Sequence, residues 1–104
     1  MKRSYMVLFE KVAEDNWGAS APDIPGAVGA GDSLAEARTS VLAGISIQLE
    51  DLMERGLEAP PAVIASIDFN EFDPEHTQLQ YVVEWLAVEL PAEVYKHEDT
   101  QQAA

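Results

Sequence analysis

Carboxylates and glycines are the residues with chemistry to offer in this 104-residue chain. Glu10, Asp15 and Asp23 could converge on divalent cations, as the clustered carboxylates of metal-dependent nucleases do, placing hard oxygen ligands around magnesium. Their spacing is loose, and with nineteen acidic residues in the chain, neighbouring carboxylates are commonplace. Six basic residues are also few for holding a nucleic-acid substrate. A divalent-metal nuclease is therefore an alternative and not the leading expectation. Gly26, Gly29 and Gly31 invite a phosphate-binding reading. Their order, G-x-x-G-x-G, reverses the dinucleotide fingerprint, and no Lys-Ser or Lys-Thr follows as a phosphate loop requires. Asp32 would set a carboxylate against any phosphate at the helix entrance. The expected role is structural, with Gly26 and Gly31 allowing backbone angles that other residues resist. Asp73, Glu75 and His76 read as a solvated turn, and His97 stands apart from them. No catalytic residue, metal or cofactor is expected.

Binding is the chemistry that composition favours. The net charge is −13, and it is uneven: residues 1–55 carry five basic and nine acidic residues, residues 56–104 a single lysine and ten acids. Such a field repels a phosphate backbone, so direct nucleic-acid binding is not expected. A basic protein is attracted and its encounter accelerated. Glu14, Asp15 and Asp23, in turn sequences, could pair with arginines of such a partner, and Trp17 beside them could anchor it. Trp85, inside an apolar run, is expected in the core. The absence of cysteine fits a reducing compartment, and no apolar run has the length of a membrane span. The protein is expected to be cytoplasmic, without a membrane partner.

These residues need elements to position them. SYMVLFEK at 4–11 reads as a strand, with Tyr5, Val7 and Phe9 on one face and Met6 and Leu8 on the other. EDN at 14–16 is a turn, and WGASAP at 17–22 returns as a second strand. Pro22 and Pro25 interrupt the ladder, and AVGAG at 27–31 is a short third strand. Ser33 and Glu36 fit a capping box. Behind them Leu34, Ala37, Val41, Ile45, Leu49 and Leu52 recur at helical spacing, and Gly56 stops a helix over about 33–55. Residues 62–72 are expected to form a short helix ended by Asp73-Pro74. QYVVEWLAVEL at 80–90 reads as a strand apolar on both faces, as suits an inner strand covered by a helix.

PDIPG at 22–26, GDS at 31–33 and EA at 36–37, in that order, resemble the signature of the HicB-like antitoxin family. The likeness covers roughly residues 4–60, and the GLEAPP break and the final strand fall in the expected order. It implies a β-β-β-α-β domain similar to a reduced ribonuclease H fold. It also implies a partner: a small basic messenger-RNA-cleaving toxin, HicA-like, which the domain binds and blocks. Complete antitoxins of this kind carry a C-terminal ribbon-helix-helix or helix-turn-helix that binds the operator. The thirteen residues after Pro91 hold a single lysine, so operator binding by this chain is not expected.

The resulting expectation is a single α+β domain over residues 1–91, β-β-β-α-(short α)-β, its antiparallel-dominated sheet packed on one long helix. Residues 92–104 would form a flexible acidic tail. The function expected is non-catalytic: an antitoxin-like module neutralising a basic ribonuclease within a toxin–antitoxin system. An orphan oligomeric scaffold or regulator without a toxin is the alternative. Strand edges of so small a sheet would favour a homo-oligomer, a dimer or higher.

Overall fold

A computed structural model describes residues 1–91. The tail expected at 92–104 lies outside the described residues. The elements run β1 (Lys2–Ala13), β2 (Asn16–Ser20), β3 (Val28–Gly31), α1 (Leu34–Glu54), α2 (Phe69–Phe72) and β4 (Gln80–Glu89). The strands form one sheet in the order β3-β2-β1-β4, antiparallel at every pairing. This is the α+β arrangement the sequence predicts. Among the described residues no helix is long and apolar enough to cross a membrane.

Alternation along β1 builds the core. Tyr5, Val7 and Phe9 face α1 and are fully buried, and Ala37, Val41, Ile45 and Leu49 meet them at intervals of one helical turn. Trp17 and Ala19 of β2 and Val88 of β4 extend this layer. Ile24 closes one end from the PDIPG turn, whose hydrogen bonds run from Ala21 N–H to Ala27 O and from Ala27 N–H to Ile24 O. Met6 and Leu8 are buried on the opposite face, outside that core.

The helix ends are closed by their own sequence. Ser33 Oγ accepts from Glu36 N–H at 3.1 Å, and Glu36 Oε2 accepts from Asp32 N–H at 3.0 Å. The box is shifted by one residue from its usual form, in which the glutamate reaches the capping residue itself. At the other end Gly56 (φ 73°) donates to Met53 O and Leu57 to Leu52 O, the two bonds of a Schellman stop.

Four expectations are corrected. Gly26 does need a left-handed angle (φ 88°), but Gly31 needs space: a Cβ there would lie 2.5 Å from Glu36 Cβ and 2.7 Å from Ala37 N. Helix α1 thus lies directly on β3. The short helix is confined to Phe69–Phe72, because Asp68 caps it there and Asp23 holds Val63 and Ile64 outside any helix. Strand β4 is an edge strand and not an inner one. Trp85 lies on the face away from α1, beside buried Met6, and is itself 55% exposed.

Candidate partner-binding surface

Register decides where the four expected binding residues fall. Strand β1 pairs with β2 through Leu8↔Ser20 to Lys11↔Trp17, then shifts so that Ala13 meets Asn16. The bulge leaves Glu14 and Asp15 at the tip of the hairpin, both exposed. Trp17 points the other way, into the core, and is 8% exposed. Asp23 lies beyond the far end of β2, where its Oδ2 accepts from Val63 N–H at 3.1 Å and Ile64 N–H at 3.0 Å. Five strand residues separate the hairpin tip from Asp23, about 17 Å at the usual rise. The structure brings Glu14 and Asp15 together and leaves Trp17 and Asp23 in other places with internal work.

It also brings to the hairpin a loop that sequence reasoning had treated as unconnected. Leu79 N–H donates to Lys11 O at 2.8 Å, and Glu10 stands opposite Tyr81 in the β1–β4 pairing. Helix α2 packs on the same tyrosine, with Phe69 4.6 Å and Phe72 6.2 Å from its ring centre. Buried Asp73 organises this loop. It accepts from Tyr81 Oη at 2.6 Å, from Thr77 N–H and Oγ1 at 3.1 and 3.0 Å, and from Gln78 N–H at 3.4 Å. The Tyr81 hydroxyl above all, with the Thr77 N–H, lowers the Asp73 carboxyl to about 2. Burial first and then the bond to Asp73 raise the Tyr81 hydroxyl to about 12. Glu10 is raised, chiefly by burial and further by the Asp73 charge. Glu71 and Glu75 flank Asp73 and are exposed, as are Phe72 and Leu79. The hairpin tip and this loop thus make one acidic end with apolar residues set into it. The one signal in the sequence was Asp73-Pro74 followed by Thr77, an aspartate placed to cap its own turn.

The arginines do not offset this charge. Arg38 forms a two-pronged pair with Glu84, at 2.8 and 2.7 Å, and lies 5.8 Å from the centre of the Phe9 ring. That pair raises Arg38 and lowers Glu84 from their ordinary values. Arg55 contacts Asp51, its neighbour one helical turn earlier, at 3.3 Å. Arg3 donates to the carbonyls of Ala59 and Pro60, holding the chain that leaves α1, and Tyr5 Oη donates to Pro60 O as well. Each guanidinium has a partner within the fold, and Lys11, partly exposed in β1 beside the tip, is outnumbered there by the exposed Glu14, Asp15, Glu71 and Glu75.

The carboxylates considered for a nuclease are not assembled. Glu10 lies within β1, Asp15 in the turn, and Asp23 past β2. Among the described residues no group of three or more His, Asp or Glu is placed to hold a metal ion. The Asp73 carboxylate is occupied by its own loop, and His76 (φ 53°) is exposed beside it.

A three-stranded meander, one long helix and a returning edge strand make a small α+β domain with a four-stranded antiparallel sheet. The N-terminal domain of the Burkholderia pseudomallei antitoxin HicB superposes with a TM-score of 0.58 at 21% identity, over 86% of this chain and 100% of that one. A chain of a toxin–antitoxin complex from Streptococcus pneumoniae gives 0.63 at 18% identity, over 97% and 89%. At these identities the likeness is one of fold. In sequence, a UPF0150 protein of Synechocystis sp. is 38% identical over 60 residues, 55% of this chain and 83% of its own length. The chain belongs to the HicB-like antitoxin family of bacterial toxin–antitoxin systems, whose pattern it matches over residues 5–102.

Proposed function

We propose that this chain is a non-catalytic binding module that neutralises a small basic messenger-RNA-cleaving toxin, HicA-like, in the cytoplasm. The observation that carries the reading is electrostatic. Glu14 and Asp15 stand exposed at the hairpin tip beside the Asp73 loop, while all three arginines of the described residues are bound internally. A basic ribonuclease presents to RNA the same positive surface that such an end attracts. Occupying that surface blocks the substrate without any chemistry in the antitoxin. Residues 1–91 are the binding domain in this proposal. The family and the toxin–antitoxin complex of similar fold support it.

The test is neutralisation. The short lysine-rich protein expected from the adjoining reading frame is purified and its cleavage of messenger RNA measured. One equivalent of this chain should stop cleavage, and Glu14→Lys combined with Asp15→Lys should restore it. Cleavage that continues with a stoichiometric excess of the folded chain would refute the reading.

A further inference from the structure

Two apolar side chains on the far side of the sheet are buried without a helix above them. Met6 and Leu8 are each 1% exposed, yet they alternate with Tyr5, Val7 and Phe9 and so face away from α1. Their neighbours across the sheet do not shut them in. Trp85, opposite Met6, is exposed, as is Val28 in β3, and nothing lies within 4 Å of the space a Cβ would take at Gly18. The connection from α1 to β4 supplies the cover. Its start is tied where Arg3 and Tyr5 hold the carbonyls of Ala59 and Pro60, and Asp23, past the end of β2, takes the N–H groups of Val63 and Ile64. Its far end is tied near the hairpin, where Phe69 packs on Tyr81. Tyr81 shares the face of Met6 and Leu8 through its register with Glu10. The stretch from Ile64 to Phe69 reaches at most about 18 Å, so the chain between these ties crosses that face directly.

This crossing is held firmly at its ends and lightly between them. Among the described residues, none from 58 to 67 takes part in a backbone–backbone hydrogen bond, and Asp23 is the one side chain that clips the segment from outside. Of residues 61–68 only Ile64 and Ile67 are not exposed. A segment with so few buried apolar contacts and so little backbone bonding is the kind that opens locally, at a fraction of the cost of global unfolding. We propose that residues 61–68 form a releasable strap. When Asp23 lets go of Val63 and Ile64, the segment bows away between its fixed ends while the sheet and α1 stay folded. Opening bares Met6 and Leu8 beside Trp85, and turns one exposed tryptophan into a continuous apolar face. The bonds that shape the PDIPG turn run through the backbone of Ala21, Ile24 and Ala27, so the Asp23 carboxylate serves the strap. The proposal is independent of toxin binding.

Methionine oxidation reads the opening at the residue it uncovers. The full chain is treated with hydrogen peroxide, and sulfoxide at Met1 and Met6 is followed by peptide mass mapping. Met1 is exposed and gives the unprotected rate. Met6 should react at least tenfold more slowly, at a rate that low urea does not change, because a local opening exposes little new surface. Asp23→Ala should speed Met6 at least fivefold with the circular dichroism of the fold retained. Ile67→Ala, which leaves the PDIPG turn intact, should do the same and decides the matter if the first variant fails to fold. Val41→Ala, which weakens the core beneath α1, should lower the melting temperature and leave the Met6 rate unchanged. Met6 reacting as fast as Met1, a rate that neither strap variant changes, or one that Val41→Ala raises as much as they do would overturn the proposal.

Discussion

The Asp73 carboxylate ties Thr77, Gln78 and Tyr81 into one knot, and its acidity measures how strongly that knot holds the charged form. Its folded value of about 2 lies below the ordinary 3.8. It therefore contributes stability above the unfolded value, and that contribution disappears as pH falls from about 4 toward 2. Asp73→Asn should lower the melting temperature at pH 7 and remove the part of the acid transition in that window, as read by circular dichroism. Glu10 has the opposite sign. Its folded value is raised, so its relative stabilisation is complete below the unfolded value and declines as pH rises through the folded one. Glu10→Gln should raise the melting temperature at pH 7 and leave it unchanged near pH 3. Equal effects at both pH values would show that the side chain acts through packing alone.

Helix α1 rests on β3 through missing side chains. A Cβ at Gly29 would strike the Val41 backbone, while one at Gly18 would meet nothing within 4 Å. Gly29→Ala should cost about 1–3 kcal/mol, the usual penalty for overpacking, and Gly18→Ala should be near neutral in the same urea titration. These elements were readable because local chemistry dictates them: the Ser33 cap, the Gly56 stop, and the alternation that puts Tyr5, Val7 and Phe9 beneath Val41 and Ile45. What escaped depends on distant partners. Valines and tryptophan on both faces of 80–90 look alike whether the strand is inner or at an edge, so Trp85 was misplaced. Residues 62–68 stay out of a helix because Asp23, some forty positions earlier, takes the N–H groups of Val63 and Ile64. Of the candidate site, the exposure of Glu14 and Asp15 followed from their turn sequence. The joining of Glu10 to Asp73 and Tyr81 followed only from the β1–β4 register.

At the scale of the molecule, charge and topology divide the labour. The sheet presents a compensated edge at β4 and an acidic end at the hairpin, and the helix covers the face between them. Arg3, Arg38 and Arg55 serve the fold, which leaves the acids free to meet a cationic surface. Attraction of this kind acts first on the rate of encounter and weakens as salt screens it. The affinity of the chain for the basic toxin proposed as its partner, measured by calorimetry as a function of salt, tests this account most directly. Affinity should fall steadily with rising salt, and reversing the charges of Glu14 and Asp15 together should weaken it at least tenfold and flatten the slope, without changing the melting temperature. Binding indifferent to both salt and charge reversal, or no binding at all, would contradict it.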